Sequence, residues 1–383
     1  MQTAVRSRPA AQFVPGHPSP EEAVSFAALM RIVAEHEAYL ARRHGARAKL
    51  AHARLDRLNL VGRNLAEADL SGASLQNANL RGANLAHASL YCADLSGCDL
   101  RGARLDHADL RGASFRGANL SRAVLDYADL RAATTLHLGE TLKFKGNEHD
   151  EAPFGAVDFS SASLRHVSFR NAKLDNANFT DALLNGSSFR GARLRNACFR
   201  RAVVAGVHLD EIMVPPQSLA TALMAPNASA QERARLLYGE LVGHHDWFVS
   251  GGKKGRPANV DGEDLRPLHE ALRGLCLAGL SARKAIAVGV DFNGCQLQAA
   301  HFDGADLRAA SLDATDLSGT SFKHAKLAHA TFKDAEIRDL ILCTGQVMCF
   351  EAEPSAGLMA QLGEARIQAN TLIAVLGDEQ GRC

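Results

Sequence analysis

Aromatic residues are scarce in this chain: five per cent of 383 positions, with one Trp and four Tyr. The apolar share is 46 per cent, and much of it is Ala and Leu, so the core must be built mainly from small and medium side chains. No apolar run is long enough to cross a bilayer. The opening stretch, MQTAVRSRPAAQFVPGHPSPEE, has basic residues but no apolar h-region, which argues against a secretory signal. It reads as a disordered leader over 1–19. The formal net charge is +1, which excludes a uniformly basic nucleic-acid binder and a uniformly acidic surface. Eight cysteines are present without a Cys-x-x-Cys, and Cys92 and Cys98 are six apart, so the zinc spacings are missing. There is no His-Glu-x-x-His, no phosphate-binding Gly-x-x-x-x-Gly-Lys and no Gly-x-Ser-x-Gly elbow. The Gly-rich basic run SGGKKG at 250–255 lacks a strand before it and a helix after it, and reads as a hinge. These absences point away from enzyme, cofactor and metal chemistry and towards a cytoplasmic protein with reduced thiols.

What the chain does have is a period of five. Every fifth residue from Leu50 to Leu130 is Leu, except Phe115. Ala stands two positions earlier in most units, as in AEADLSGASLQNANLRGANL. Five is neither the 3.6 of a helix nor the 2.0 of a flat strand, so the pattern is a structural repeat. A second tract keeps the period in a new register, from Phe154 and Phe159 to Val204 and Leu209. From Leu130 to Phe154 is a step of 24 residues, one short of five units, and 131–153 reads as an insertion. A third tract is weak at Val260 and Leu265, and clear from Phe292 to Leu342. Leu265 to Leu272 is seven residues, which breaks the register; 266–291 reads either as a distorted coil or as a short helix. Cys98 and Cys295 take the usual Ala position and read as small buried thiols.

Two segments have helical texture. One spans 20–45 and ends at Gly45; the other lies within 215–257, from roughly Ala230 to Phe248, with Asn227 or Ser229 as its cap. His36, Tyr39 and Leu40 match His244, Trp247 and Phe248 in spacing, and each group is followed by Gly and then by a repeat tract. The order suggests a duplicated unit in which each helix covers the open end of a solenoid, with the Tyr and Trp packing there.

The repeats resemble the pentapeptide-repeat family, whose unit is Ala, Asp or Asn, Leu or Phe, and two freer residues. The resemblance implies an all-β solenoid, a right-handed quadrilateral β-helix in which four units make one coil. The central Leu or Phe and the Ala two positions before it point inward. The expected organisation is two bodies with helical capping and linking segments. The first β-helix spans 46–214, the helical linker 215–257 and the second β-helix 258–344, followed by a tail at 345–383. Residues twenty apart then stack, which puts Phe159, Phe179 and Phe199 on one face and Phe169 and Phe189 on the opposite one.

The same rule gives surface columns. Glu67, His87, His107 and Tyr127 form one, the best place for acid–base chemistry or weak metal binding, yet it is convex and has no nucleophile, so it reads as solvated surface. In the third tract Asp303 is expected over Lys323, Asp313 over Lys333, and Asp306 over Lys326. The second tract is rich in Arg. Arg170 stacks near Arg190, and Lys173 near Arg193, which costs energy unless a counter-charge is present. Arg170, Lys173, Arg190 and Arg193 are therefore the candidate partner-facing residues. The expected function is a non-enzymatic scaffold or protein-interaction module in bacteria. Its partner is a protein; no nucleic acid, membrane, small-molecule substrate or cofactor is expected. The family offers an alternative, a DNA mimic that binds DNA gyrase or topoisomerase IV and protects against quinolones. This chain departs from that pattern through its basic second tract and its helical interruption.

The inward assignment has a direct test. Leu85→Asp puts a carboxylate into a narrow apolar tube and should cost more than about 4 kcal/mol, whereas Arg81→Asp should stay within about 0.5 kcal/mol. Urea unfolding of both variants measures the difference, and equal midpoints would show the assignment to be wrong.

Overall fold

The computed structural model describes residues 26–133, 156–207, 214, 216–353, 358, 361–363 and 365–367. The leader at 1–19, the start of the first helix at 20–25, positions 134–153 of the insertion, Phe154, Leu209 and much of the tail lie outside them. The described residues fall into two compact units, within Met1–Ala202 and Val207–Thr221, and within Val203–Gly206 and Ala222–Cys383.

Both units are repeat β-helices. Parallel bridges join residues twenty apart in an unbroken series, Lys49↔Asp69, Arg54↔Ser74, Asn59↔Asn79 and Asn64↔Asn84 among them. Four five-residue units therefore make each stacking step. The repeat satisfies its own backbone, as the unit around Leu70 shows. Leu70 N–H donates to the Ser89 carbonyl at 2.8 Å and Gly72 N–H to that of Tyr91 at 2.7 Å. Ser74 N–H reaches back to the Ala53 carbonyl at 2.9 Å, and Ala73 N–H closes a turn on Leu70 at 3.0 Å. The fifth amide, of Ser71, is bonded by Asp69 Oδ1 at 3.1 Å. This last bond explains why Asp or Asn often precedes the central Leu: its side chain takes the one amide the ladder leaves over. The turn needs positive φ at its third residue, seen at Gly82 (φ 65), His87 (φ 58) and Tyr127 (φ 60), so Gly, Asn and other polar residues recur there.

Inside, the central Leu and the Ala two before it are buried; Leu85 and Ala83 are 1 and 0 per cent exposed. Where a small polar residue replaces that Ala it bonds a carbonyl, in several cases one 23 residues earlier. Cys98 Sγ donates to Leu75 O at 2.8 Å, Cys295 Sγ to Leu272 O at 2.9 Å, and Thr320 Oγ1 to Leu297 O at 2.8 Å. Burial pushes both thiols up to about 12, so neither is a nucleophile at neutral pH. The Phe columns form as the spacing implies. Phe159–Phe179 and Phe179–Phe199 stack at 5.2 and 5.0 Å, Phe169–Phe189 at 5.0 Å, and rings of the two columns meet edge to face, as Phe159 and Phe169 do at 5.7 Å.

The ladder absorbs both register breaks. Across the insertion the step lengthens from twenty to 44 residues, Ser114↔Asp158 and Asn119↔Ser163, and then returns to twenty. At the third tract the first step is 22 residues, Asn259↔Ser281, and a 3₁₀ turn at Arg266–Leu268 holds the surplus. The stretch 266–291 is a distorted coil. Ala282 and Ala287 take central positions there, and Leu280, at the usual Ala position, is fully buried and restores the volume. The final coil departs from the repeat. β1 (Ser321–Phe322) pairs with β5 (Glu351–Ala352) and β2 (Glu336–Ile337) with β6 (Arg366–Ile367), each across thirty residues. Between them β3 (Leu340–Ile341) and β4 (Val347–Met348) form an antiparallel hairpin, so Leu342 is half-buried rather than a core residue. The expected columns of this tract keep their register, Asp306 bridging Lys326, and further ion pairs form beside them. Asp303 pairs with Arg283 at 3.3 Å, Lys323 with Glu351 at 2.9 Å, and Asp306 with Arg308 at 2.6 Å. Asp313 bonds the backbone N–H of Lys333 at 2.8 Å.

The helices are α1 (Phe26–Leu40) and α2 (Ala228–Val249), the latter capped by Asn227 Oδ1, which accepts from Ala230 N–H at 2.8 Å. Each is clamped to the coil that follows it by one buried histidine. His36 Nδ1 accepts from Ala48 N–H at 3.0 Å, and Nε2 lies 2.9 Å from the Ala66 carbonyl. His244 repeats both bonds, with Ala258 N–H and the Ala278 carbonyl at 3.0 Å each. A glycine completes each clamp through close backbone approach: a Cβ on Gly45 would come within 2.2 Å of Glu35 O, and one on Gly255 within 1.9 Å of Gly243 O. Of the two residues expected to pack in the caps, Tyr39 is instead 40 per cent exposed and Trp247 is half-buried. His36→Ala leaves a buried N–H and a buried carbonyl without partners and should cost about 2–6 kcal/mol, at about 1–3 kcal/mol per group. Thermal unfolding of the variant measures it; a loss below 0.5 kcal/mol (about one third of a tenfold change) would show that the clamp does not matter.

Candidate interaction surface

Each five-residue unit shows solvent three side chains: the one before the central residue and the two after it. In the first unit of the molecule, one edge carries the two positions after the central residue as parallel columns. One column is Glu67, His87, His107, Tyr127 and Asn171; the other is Asp106, Asp126, Arg170 and Arg190. Tyr127 N–H donates to the Arg170 carbonyl at 2.8 Å and Asn171 N–H to that of Arg190 at 3.0 Å, which fixes this order. The histidine column and the Arg170–Arg190 pair, separate surfaces in the sequence reading, are thus successive stretches of one edge.

The column itself is a ring ladder. His87 and His107 stack at 4.8 Å with planes 2° apart, and His107 and Tyr127 at 4.9 Å and 3°. The rings face one another, so only their edges meet solvent. Among the described residues no group of three or more His, Cys, Asp or Glu stands where it could hold a metal ion.

Lys173 and Arg193 lie on the adjoining face, and there the charge balance differs from the sequence expectation. Lys173 Nζ is 3.6 Å from Asp129 Oδ2, and Arg193 pairs with Asp175 at 2.5 Å. Their like-charge repulsion is met within the chain. Asp129 also holds Arg131 at 2.7 Å, and Asp109 holds Arg111 at 2.7 Å, with the Arg111 guanidinium 5.2 Å from the Tyr91 ring centre. The face is a lattice of Asp–Arg pairs on stacked rungs. Sequence reasoning missed it because these partners sit two residues apart on one rung, while only the twenty-residue columns were compared.

The lattice becomes cationic towards the end of the second tract. Arg193 and Arg195 share one carboxylate, Asp175, the second at 3.3 Å. The Asp175 side chain is 8 per cent exposed, and bonds to Arg195 and Arg193 hold its pKa below the usual carboxylate range despite its burial. Arg170 and Arg190 are exposed, and neither forms an ion pair among the described residues. The Arg170 backbone is tied down by Asp126 Oδ1, which accepts from its N–H at 3.1 Å. The surface therefore presents fixed backbone, two unpaired guanidiniums and two that share one acid.

The family model for pentapeptide repeats matches in eight copies, among them residues 46–82, 64–102, 103–134, 162–201, 276–313 and 305–339, together about half of the chain. The chain belongs to the pentapeptide-repeat family. Solved structures of pentapeptide repeat proteins are among those similar to this chain. HetL, a pentapeptide repeat protein involved in heterocyst differentiation regulation from the cyanobacterium Nostoc sp. strain PCC 7120, is 21 per cent identical. That match covers 81 per cent of this chain and 96 per cent of HetL at a TM-score of 0.20. A second pentapeptide repeat protein from Nostoc PCC 7120 is 43 per cent identical over 25 per cent of this chain and 76 per cent of its own, at 0.23. QnrB1, a plasmid-mediated fluoroquinolone resistance protein, is 20 per cent identical over 50 per cent of this chain and 96 per cent of its own, at 0.28. No curated protein matches this chain.

Asp175→Asn removes the charge that Arg193 and Arg195 share and should destabilise the fold by about 1–3 kcal/mol, the range for a hydrogen bond to a charged group. Because the folded pKa of Asp175 is depressed, its contribution is present above about pH 4 and is lost as pH falls through the lower folded value. Urea midpoints at pH 7 and pH 3 measure this: the variant should trail the wild type at pH 7 and approach it at pH 3. A gap of the same size at both values would show that the charge is not what matters.

Proposed function

We propose that this chain is a non-enzymatic scaffold that binds an acidic protein surface through the cationic edge at Arg170 and Arg190 together with the adjoining face at Lys173 and Arg193. The reading rests on a right-handed quadrilateral β-helix in two bodies, 46–214 and 258–344, whose open ends are capped by helices. Such a tube offers long, rigid faces and suits partner docking better than small-molecule chemistry. The observation that carries the assignment is the pair Arg170 and Arg190, exposed and without ion pairs among the described residues, beside two arginines that share Asp175. An acidic partner relieves this excess and gains on-rate and specificity from it. Cytoplasmic residence in bacteria belongs to the same reading; among the described residues no helix is long and apolar enough to cross a membrane. The alternative, a DNA mimic that binds gyrase or topoisomerase, requires a continuous acidic stripe. Here Asp99, Asp109 and Asp129 are each neutralised by an Arg two positions on, which argues against it.

The test captures partners by pull-down and measures association of each with the wild type and with the triple variant Arg170→Glu, Arg190→Glu, Arg193→Glu. At 50 mM salt the variant should associate at least about tenfold more slowly, and the wild-type rate should fall steeply towards 500 mM salt. Equal rates and equal salt dependence would remove this edge.

A further inference from the structure

We propose that His244 is a pH-operated latch that holds α2 onto the first coil of the second unit and lets it go in mild acid. The geometry dictates the protonation state. Nδ1 accepts from the Ala258 N–H at 3.0 Å, so it carries a lone pair. Nε2 stands 3.0 Å from the Ala278 carbonyl, so it carries the proton. The ring is therefore the neutral Nε2–H tautomer, with both nitrogens engaged and 1 per cent of the residue exposed. A second proton would enter at Nδ1, against the Ala258 N–H. The bond to Ala258 would become a clash of two donors, and a charge would stand in an apolar setting.

The surroundings offer that charge no compensation. On α2, His245 is committed, its Nδ1 accepting from the Cys276 N–H at 3.0 Å. The Trp247 ring lies 6.2 Å away. Asp246 is exposed, and Glu240 is paired with Arg233. On the coil side, Glu263 is paired with the same Arg233 at 2.8 Å, and Cys276 is a buried thiol. Burial is the leading influence on the ring and moves its pKa below the usual 6.5, the Ala278 bond opposing it. The sign follows. The folded pKa is depressed, so the latch is at full strength above about pH 6.5 and weakens as pH falls through the lower folded value.

Release has a structural consequence. Leu237 and Leu241 of α2 share one apolar cluster with Val260 and Leu265 of the first coil, all fully buried. Freeing the helix uncovers that cluster and the coil's outer backbone edge, the kind of edge that recruits further strands. His36 makes the same two bonds in the first unit and burial likewise lowers its pKa, but Arg47, Glu37 and Glu67 also act on it there, so the two latches need not open together.

Trp247 is the only tryptophan in the chain and lies one turn from His244, so it reports on this latch alone. The experiment follows Trp emission and far-UV circular dichroism of the full chain from pH 7.5 to 4.5, for wild type and His244→Gln. A Gln amide can accept from Ala258 and donate to Ala278 without titrating. The wild type should show a red shift below pH 6.5 while most of its β signal remains; the variant should show no step in that range. The same step in both proteins, or no step in the wild type before global unfolding, would overturn the proposal. A second readout needs no variant. Protection of the Ala258 amide against hydrogen exchange, corrected for intrinsic rate, should drop about tenfold per pH unit between the unfolded and folded pKa values. Constant protection from pH 7.5 to 5 would overturn the latch even if His244→Gln fails to fold.

Discussion

The rest of this structure depends on the coil-to-coil ladder, in which backbone carbonyls satisfy most amides of a unit and, in units such as that around Leu70, an Asp or Asn side chain takes the remaining one. With that arrangement the unit cannot be four or six residues long, because a different length would leave a buried N–H unpaired. It also dictates what faces inward. A tube this narrow takes one large and one small side chain per unit, as Leu85 and Ala83 illustrate. Scarcity of aromatics follows from the same limit. Several rings stand in a column with other rings, as Phe159, Phe179 and Phe199 do, or over a small residue, as Phe302 stands over Ala282.

Much of this was legible because the constraint repeats. A column read from spacing alone put His87, His107 and Tyr127 in register, and their rings do stack within 4.9 Å. What spacing could not show was where the ladder tolerates surplus chain. The seven-residue gap after Leu265 left helix and coil equally open, because both bury Leu268 and Leu272; the ladder from Asn259 to Ser281 decides for the coil. Leu342 kept the period yet left the core, since the chain has by then turned outward into β3 and β4, where one face rests on Gly319 and the other exposes Ile341 and Val347.

The duplicated helix shows a different limit. Spacing matched His36 with His244, but weight fell on the larger Tyr and Trp beside them, as burial statistics suggest. The structure gives the role to the histidine because the end of a solenoid is a polar problem before it is an apolar one. The first coil has no coil beneath it, so an N–H such as that of Ala48 must find a partner from elsewhere. A neutral imidazole supplies an acceptor for that amide and, across its ring, a donor for the carbonyl of Ala66. No apolar residue could do both, and Ser or Asn would not span the distance.

Surface charge was the least legible property, and the reason is geometric. Side chains that flank one central residue lie on the same rung and reach one another, so Asp109 and Arg111 meet before either meets the rung above. A tally of Arg against Asp in a tract therefore overstates its field: Lys173 and Arg193 counted as free charge, and both are neutralised nearby. What survives neutralisation is local, at Arg170, Arg190 and the Arg193–Arg195 pair on Asp175. Unpaired charge on a rigid edge is informative in a way that total charge is not. The backbone there has no freedom to carry the guanidiniums apart, so their mutual repulsion persists until something outside the chain relieves it.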